Sequence, residues 1–495
     1  MKLDSAKSQS MSIRSLRGNA NAGLPLTLAF LATGVLSLGM LLNPIMIPLS
    51  AVSILFNASA WLGIGTLLVR RRYLAAFYVM LFYMPLSSTL GYAFVEDYVF
   101  WNSPRAFSLG HDHAVISAMI WIGEIGLCGF LAGMLLVNKS IGNEKRSAES
   151  PARVESYFLP NLSNVVFLVL TIFAVLLSWI AAPADTIFKE AYGTAITRGS
   201  QLNFNAGALS SYTLLILLQL DIYRTTKKSF KQTVFVCAVV YVILVLQLLR
   251  GDRESSGLII GMLLLHVKFG TPKSKEYLKN IFTTFQQRIY LIGGAVALIL
   301  IFSLIRTLRS KASTGYVEKS DLSELLVRGL RQNTWTAAGV NNLALAEEYV
   351  NGSTEYFYGK TYVEYALSLP PAFVAKALGY IRPINSSNAP GLWYRYLTNG
   401  GTHPIIVPFK NFGALGLLLF TIGLGQVIGY IDRLDSSRIL ISQYTYGVFA
   451  VSGFKWFWYG DMNLIRTCMA AAIFYAIYIC FACVREGRGR PVLHC

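Results

Sequence analysis

Long apolar runs alternate with short polar segments along most of the chain. A membrane-spanning helix needs about 20 apolar residues, and runs of this kind recur from the N-terminal region to the C-terminal region. They are continuous and rich in leucine, unlike the short alternating strands of a membrane β-barrel. They predict spans near 24–42, 45–69, 73–95, 114–137, 162–182, 206–223, 233–249, 256–269, 289–305, 411–431, 439–458 and 464–483. We therefore predict an all-α polytopic membrane protein with about twelve transmembrane helices.

The composition supports a membrane protein, and the positions of the basic residues explain the net positive charge. Of the 495 residues, 54% are hydrophobic and 14% are charged, whereas soluble domains carry about 25% charged residues. The formal net charge of +18 would suit a nucleic-acid partner. However, the lysines and arginines lie in short segments beside the apolar runs, which is typical of the positive-inside rule. We predict no nucleic-acid partner.

The distribution of these basic residues predicts the orientation. With the N-terminus inside, 25 Lys and Arg residues fall in inside segments and 7 in short outside segments. Long segments do not count under the rule. Both termini are therefore predicted to be cytoplasmic.

One long segment, 306–410, interrupts the series of spans and is predicted to be a folded extracytoplasmic cap. Ser320 and Asp321 suit the start of a helix, a second helix is predicted at 337–350, and the stretch 372–379 is amphipathic. The predicted division is an N-terminal bundle at 1–305 with about nine spans, the cap at 306–410, and C-terminal helices with a cytoplasmic tail at 411–495.

Arginines are the main candidates for chemistry. Arg250 and Arg253 lie three residues apart in a turn between two apolar runs, where charge is costly and usually functional. Guanidinium groups suit bidentate phosphate recognition. The adjacent Asp252 and Glu254 leave a second interpretation open, in which the four residues form a stabilising ion-pair network. Other arginines in predicted outside segments include Arg198, Arg306, Arg309 and Arg466. An anionic ligand at the outer face would explain all of these arginines together.

Histidine and acidic residues offer fewer candidates. His403 follows Gly400-Gly401-Thr402 and suits a proton acceptor or a loop anchor. Asp461 and Arg466 suit ligand binding or an ion pair that closes the outer end of the last two helices. A metal site at His111-Asp112-His113 is not predicted, because that spacing suits a strand and no second ligand cluster is evident. The predicted spans hold few acids apart from Glu124, which disfavours an ion-coupled carrier.

Two short segments carry a family resemblance. They are Arg250-Gly251-Asp252-Arg253-Glu254-Ser255-Ser256-Gly257, and His403-Pro404 followed by Asn411-Phe412-Gly413-Ala414-Leu415-Gly416. With the many spans, cytoplasmic ends and large late loop, they make the chain resemble the Wzy-type polymerases of bacterial O-antigen and related oligosaccharide repeat units. The resemblance implies a GT-C-like fold with a large helical periplasmic loop, in the bacterial inner membrane.

The resemblance also implies a reaction and roles for the candidate residues. The enzyme would be a glycosyltransferase that joins undecaprenyl-diphosphate-linked repeat units at the periplasmic face by inverting transfer, without a metal or cofactor. Arg250 and Arg253 would hold the diphosphate, His403 would orient or deprotonate the acceptor hydroxyl, and Arg198, Arg306 and Arg309 would clamp the second lipid. A Wzz-type chain-length regulator is an expected partner. The alternatives are an O-antigen ligase acting on lipid A-core and a lipid-linked glycan transporter or flippase.

Overall fold

The computed structural model describes residues 49–93, 112–144, 254–269, 336–370, 372–381, 403–433 and 440–486. Its helices there are α1 (Leu49–Val69), α2 (Tyr73–Tyr83), a 3₁₀ helix (Met84–Ala93), α3 (His113–Glu144), α4 (Glu254–Phe269), α5 (Thr336–Val350), α6 (Lys360–Ser368), α7 (Ala372–Ala377), α8 (Ile406–Arg433), α9 (Leu440–Tyr459) and α10 (Asp461–Glu486). No strand occurs within these ranges. The all-α prediction is confirmed for this part of the chain, and the cap helix predicted at 337–350 is α5.

Three of the described helices are long and apolar enough to cross a membrane. They are Leu49–Val69, His113–Val137 and Ile406–Arg433, and shorter apolar helical stretches occupy Tyr73–Ser87 and Leu464–Ile477. The spans predicted at 24–42, 162–182, 206–223, 233–249 and 289–305 lie outside the described residues. The total of about twelve spans therefore stays a prediction.

The span predicted as one helix over 73–95 is wrong at its second half. The α-helix ends at Tyr83 and a 3₁₀ helix follows from Met84 to Ala93. Pro85 explains the change, because proline has no backbone N–H for an α-helical hydrogen bond to the carbonyl of Leu81. That carbonyl lies beside the side chain of His403.

The described residues fall into two compact units. The first contains 49–93, 112–144, 336–370, 372–381, 403–433 and 456–461, and the second contains 254–269, 440–455 and 462–486. In the second unit α4 packs closely on α9, since a β-carbon on Gly261 would lie 2.7 Å from the carbonyl oxygen of Ala450. The Phe269 and Tyr446 rings meet edge to face with centroids 5.1 Å apart. The predicted three-part division of the chain stays a prediction.

Glycines bring α3 and α8 of the first unit into backbone contact. A β-carbon on Gly133 would lie 2.1 Å from the carbonyl oxygen of Ile422, and one on Gly425 would lie 2.2 Å from that of Phe130. Small residues let membrane helices approach this closely, which strengthens van der Waals packing where the hydrophobic effect is absent. The glycine contacts make α3–α8 the central helix pair of this unit.

Helix α8 contains a reversal that the sequence did not predict. A β-carbon on Gly126 of α3 would lie 3.0 Å from the Ile405 side chain and 3.9 Å from the Leu417 side chain. Twelve residues of straight helix would separate two residues by about 18 Å, so the chain must turn back between them. The turn is at Gly413, which has φ 68° and ψ −160°. Residues 403–412 therefore form a re-entrant arm, and the span follows from residue 414.

The re-entrant arm is buried from His403 to Asn411, which fits the rule that irregular backbone at membrane depth occurs where protein encloses it. The span predicted near 411–431 lies within α8, whereas the arm that precedes it was not predicted. The segment from 414 to 433 still contains about 20 residues, enough to cross the membrane.

The tip of the re-entrant arm is clamped by the loop before α6. The backbone N–H of Phe357 donates to the Lys410 carbonyl at 2.9 Å, and that of Tyr358 donates to the Asn411 carbonyl at 3.2 Å. The Gly359 N–H donates to Oδ1 of Asn411 at 2.8 Å. These bonds satisfy carbonyl groups that the helix break leaves without an intrahelical donor. The loop thereby holds the tip in one position.

A buried polar network joins α1 to the end of α2 and the 3₁₀ helix. The Ser53 hydroxyl donates to the Thr89 carbonyl. The Tyr83 hydroxyl donates to Oδ1 of Asn57 at 2.7 Å, and Nε1 of Trp61 donates to the Tyr83 hydroxyl at 3.3 Å. Buried polar groups in a membrane protein need such partners, so the network stabilises this helix pair.

Candidate functional site

His403 lies at the base of the re-entrant arm, inside the first unit. Its side chain is fully buried. The imidazole packs edge to face against Phe82 with ring centroids 5.7 Å apart, and against Phe457 at 5.4 Å. Phe82 in turn packs on Phe130, in the middle of α3, with centroids 5.5 Å apart. The predicted proton acceptor is therefore placed level with the middle of a spanning helix.

The surroundings of His403 keep its ring neutral. The imidazole is fully buried between the Phe82 and Phe457 rings, and burial of this kind disfavours a charged ring, while the Leu81 backbone lies nearby. Neither ring nitrogen makes a hydrogen bond of good geometry within the described residues. The carbonyl of Leu81 is available because Pro85 cannot donate to it. A neutral imidazole of this kind can accept a proton or a hydrogen bond.

Asp461 lies in the turn between α9 and α10, three residues before the apolar stretch of α10. Gly460 makes this turn with φ 90°, a conformation that glycine adopts without strain. Nε1 of Trp456 donates to Oδ1 of Asp461 at 2.7 Å, and the Tyr365 hydroxyl of α6 is a second hydrogen-bond partner. Asp461 thus fastens α6 to the α9–α10 turn.

One aromatic cluster connects the His403 site to the Asp461 site. Phe457 touches His403, and the Trp456 and Phe457 rings have centroids 5.5 Å apart. Trp456 also donates to Asp461. Two candidates that are far apart in sequence are therefore brought to one cluster in the first unit.

The titration of Asp461 gives a prediction for stability. Burial raises the pKa of its carboxyl from 3.8 to about 6, and the bonds from Trp456 and Tyr365 lower it by less. A raised folded-state pKa means that the fold favours the protonated acid, so this contribution is complete below about pH 4 and lost as the pH rises through about 6. We expect the wild-type melting temperature to fall across this range relative to Asp461→Asn, by an amount equivalent to on the order of 2 kcal/mol.

This prediction is checked by thermal unfolding of both detergent-solubilised proteins from pH 4 to pH 7. Tyr365→Phe provides a second variant, because it removes a hydrogen bond that lowers the carboxyl pKa. The pH at which the melting temperature of Tyr365→Phe falls should therefore be higher than that of the wild type. Parallel pH profiles for the wild type and Asp461→Asn would contradict the assignment.

Of the remaining predicted site residues, the structure describes only Arg466. Arg466 of α10 is half-buried and has an interaction partner, and its predicted pairing with Asp461 stays a prediction. Arg198, Arg250, Arg253, Arg306 and Arg309 lie outside the described residues. Helix α4 is described from Glu254, the residue after Arg253.

Three buried polar side chains that the sequence did not single out as site residues lie on α3 and α5. Glu124, Trp121 and Asn342 have buried polar atoms without a hydrogen-bond partner among the described residues. The Trp121 ring packs on Tyr349 of α5 with centroids 5.3 Å apart. Glu124 was visible in the sequence as an acid within a predicted span, and such acids are usually functional.

A metal ligand set is not found among the described residues. Asp112 instead accepts the backbone N–H of Ala114 at 2.9 Å and that of Val115 at 3.3 Å. These bonds cap the first turn of α3. The acidic residue between two histidines therefore has a structural explanation.

The comparison with known families decides the identity. A family model described as O-antigen polysaccharide polymerase Wzy matches residues 26–485. The chain belongs to this family. The match confirms the resemblance and indicates a membrane-bound O-antigen polymerase with glycosyltransferase-type activity, acting on lipid-linked oligosaccharides. Comparison with curated proteins and with solved structures gives no match.

Proposed function

We propose that this Wzy-family protein joins undecaprenyl-diphosphate-linked repeat units into O-antigen-like polysaccharide at the periplasmic face of the inner membrane, on a GT-C-like fold. Membership of the polymerase family carries the proposal. In the proposed step, the acceptor hydroxyl of one lipid-linked repeat attacks the anomeric carbon of the growing chain. The bond from that carbon to the diphosphate breaks, undecaprenyl diphosphate leaves with the electron pair, and the configuration inverts.

Arginines perform the electrostatic part of this reaction. Arg250 and Arg253 hold the departing diphosphate and stabilise the negative charge that develops on it, which is the largest single contribution in many enzymes. Arg198, Arg306 and Arg309 clamp the phosphates of the second lipid. With guanidinium groups in these positions, the proposed transfer proceeds without a metal ion.

His403 receives the proton of the acceptor hydroxyl in this proposal. Its burial between aromatic rings favours a neutral imidazole, and its nitrogens, which lack a hydrogen bond of good geometry among the described residues, support an acceptor role. Because the ring is fully buried, the re-entrant arm has to move for the hydroxyl to reach it. Asp461 contributes by positioning, since its carboxylate fastens α6 beside the aromatic cluster that contains His403, and Arg466 assists glycan binding.

The positive-inside pattern supports a periplasmic site. Arg70, Arg72 and Arg433 gather at the end of the first unit where α1 and α8 finish. The tip of the re-entrant arm lies toward the opposite end. If the arginine end is cytoplasmic, the clamped tip faces the periplasm, where lipid-linked repeats are joined.

The test is a reconstituted reaction with purified protein in lipid and a synthetic lipid-linked repeat, without nucleotide and with a metal chelator. We expect a ladder of products from the wild type and none from Arg250→Ala or Arg253→Ala at unchanged abundance. Lysine at either position should restore activity only partly, because it lacks the bidentate fork.

The control for this test is Lys376→Ala, which removes one positive charge from the exposed face of α7 and should leave the ladder unchanged. Normal ladders from both arginine variants would remove these residues from the mechanism. Transfer of the glycan to lipid A-core without a ladder would support the ligase, and translocation without bond formation would support the flippase. A Wzz-type regulator, if it is a partner, should narrow the ladder when added.

A further inference from the structure

A cluster of arginines occupies the end of the first unit where α1 and α8 finish and α2 begins. Arg70 and Arg72 lie in the turn after α1, and Arg433 is the last residue of α8. Both α1 and α8 are long and apolar enough to span a membrane. The ends of spanning helices lie level with lipid headgroups. The cluster is therefore at headgroup depth.

Hydrogen bonds fix the position of the groups around this cluster. Asp432 is fully buried, and its Oδ2 accepts the backbone N–H of Ala75 at 3.3 Å. Nη1 of Arg433 donates to the carbonyl oxygen of Val137 at 2.5 Å. The end of α8 is thereby tied to the start of α2 and to α3. The hydrogen bond to Val137 therefore fixes the position of the Arg433 guanidinium.

Among the residues that the structure describes, the charges of the cluster do not balance. The pKa of Arg72 is lowered by burial, raised by Asp432 and lowered again by Arg70, and burial lowers the pKa of Arg70. Arg433 lies within electrostatic range of Arg70, Arg72 and Asp432. Three positive groups thus surround one negative group while being partly removed from water. Like charges in this arrangement repel, and an additional anion would relieve the repulsion.

The adjacent Arg71 provides an internal comparison. It has φ 58° and occupies the left-handed position of a helix-ending turn, in which the Arg72 N–H donates to the Leu67 carbonyl at 2.8 Å. Its side chain is exposed, and it is not among the charges that act on Arg72. A substitution at Arg71 therefore removes one positive charge from the same turn and leaves the three arginines of the cluster in place.

We propose that Arg70, Arg72 and Arg433 form a binding site for the phosphate of an anionic phospholipid headgroup, at the end of α1, α2 and α8. Planar guanidinium groups suit phosphate oxygens because they present paired N–H donors. The depth of the site favours a lipid over a soluble anion, since the headgroup phosphates of the bilayer lie at this level.

The experiment measures lipid binding to the delipidated full chain in a neutral detergent by native mass spectrometry. The probes are a short-chain phosphatidylglycerol, the matching phosphatidylcholine, and inorganic phosphate. We expect the wild type to bind phosphatidylglycerol and to bind the other two far more weakly. Arg72→Gln and Arg70→Gln should each bind phosphatidylglycerol about tenfold more weakly, whereas Arg71→Gln should bind like the wild type.

Two outcomes would overturn the proposal. Equal losses in Arg71→Gln and Arg72→Gln would mean diffuse attraction to a basic surface, without a site. Equal binding of inorganic phosphate would mean that the anion is not a lipid. Monodisperse elution of each variant is required first. If Arg72→Gln fails to fold, the comparison of Arg70→Gln with Arg71→Gln keeps the test decisive, because only the first of these removes a charge of the cluster.

Discussion

Gly425→Ala is expected to prevent the protein from accumulating in a folded form, whereas Gly423→Ala is expected to be tolerated. A β-carbon on Gly425 would lie 2.2 Å from the carbonyl oxygen of Phe130 and 3.2 Å from the α-carbon of Gly133. These obstacles are backbone atoms of α3, so no side chain can rotate away. The two helices must separate, which loses packing along their whole contact. Overpacking costs about 1–3 kcal/mol in most cases, and we expect the upper part of this range because the obstacles are backbone atoms.

The matched control is two residues away on the same helix. A β-carbon on Gly423 would meet nothing within 4 Å, and alanine is favoured over glycine inside a helix by about 1 kcal/mol. Membrane abundance, monodispersity on size exclusion and apparent melting temperature should therefore separate the two variants. Equal values for both would mean that α3 and α8 do not make the close contact described. Gly133→Ala tests the other side, since its β-carbon would lie 2.1 Å from the Ile422 carbonyl oxygen.

Helix positions were predictable where an apolar run coincides with one helix. The runs at 45–69 and 114–137 overlap α1 and α3, and the cap prediction at 337–350 matches α5 within one residue. The prediction failed at 73–95, where Pro85 changes the hydrogen-bonding pattern while the composition stays apolar. Hydropathy reports that residues are buried, and it does not report the kind of helix that buries them.

The re-entrant arm was missed for a similar reason. Residues 405–412 are mostly apolar, as are those that follow. The arm and the span therefore form one continuous apolar run in the sequence. The reversal depends on the single backbone conformation of Gly413. The segment Asn411-Phe412-Gly413 carried the family resemblance, and its structural role is visible only when Asn411 is seen to bind the loop at Gly359.

The candidate site was predictable as separate residues but not as an arrangement. His403 stood out because it follows a pair of glycines just before a predicted span, and Asp461 because it lies near Arg466 at the outer end of the last two predicted spans. Their connection runs through Phe457 and Trp456, which resemble any other aromatic residues of a span. Contacts between such distant positions are set by how the helices pack, which a single sequence does not reveal.

Gly413→Ala is expected to abolish polymer growth while most of the protein remains folded. Gly413 has φ 68° and ψ −160°, a region that is essentially restricted to glycine, and holding another residue there costs about 1–3 kcal/mol. The new β-carbon would lie 3.5 Å from the Tyr356 ring, which is an ordinary contact, so the strain comes from the backbone alone. The arm would relieve this strain by shifting, and His403 at its base would shift with it.

Gly352→Ala is the matched control for backbone strain. Gly352 has φ 65°, and a β-carbon there would meet nothing within 4 Å, so this variant carries a positive-φ alanine in the cap without touching the arm. Both variants should lose some thermal stability, because alanine is disfavoured at positive φ. Only Gly413→Ala should lose the product ladder. Full chain growth in Gly413→Ala would separate the arm from catalysis. Loss of the ladder in both variants would mean that the defect is a general loss of stability and not a displacement of the arm.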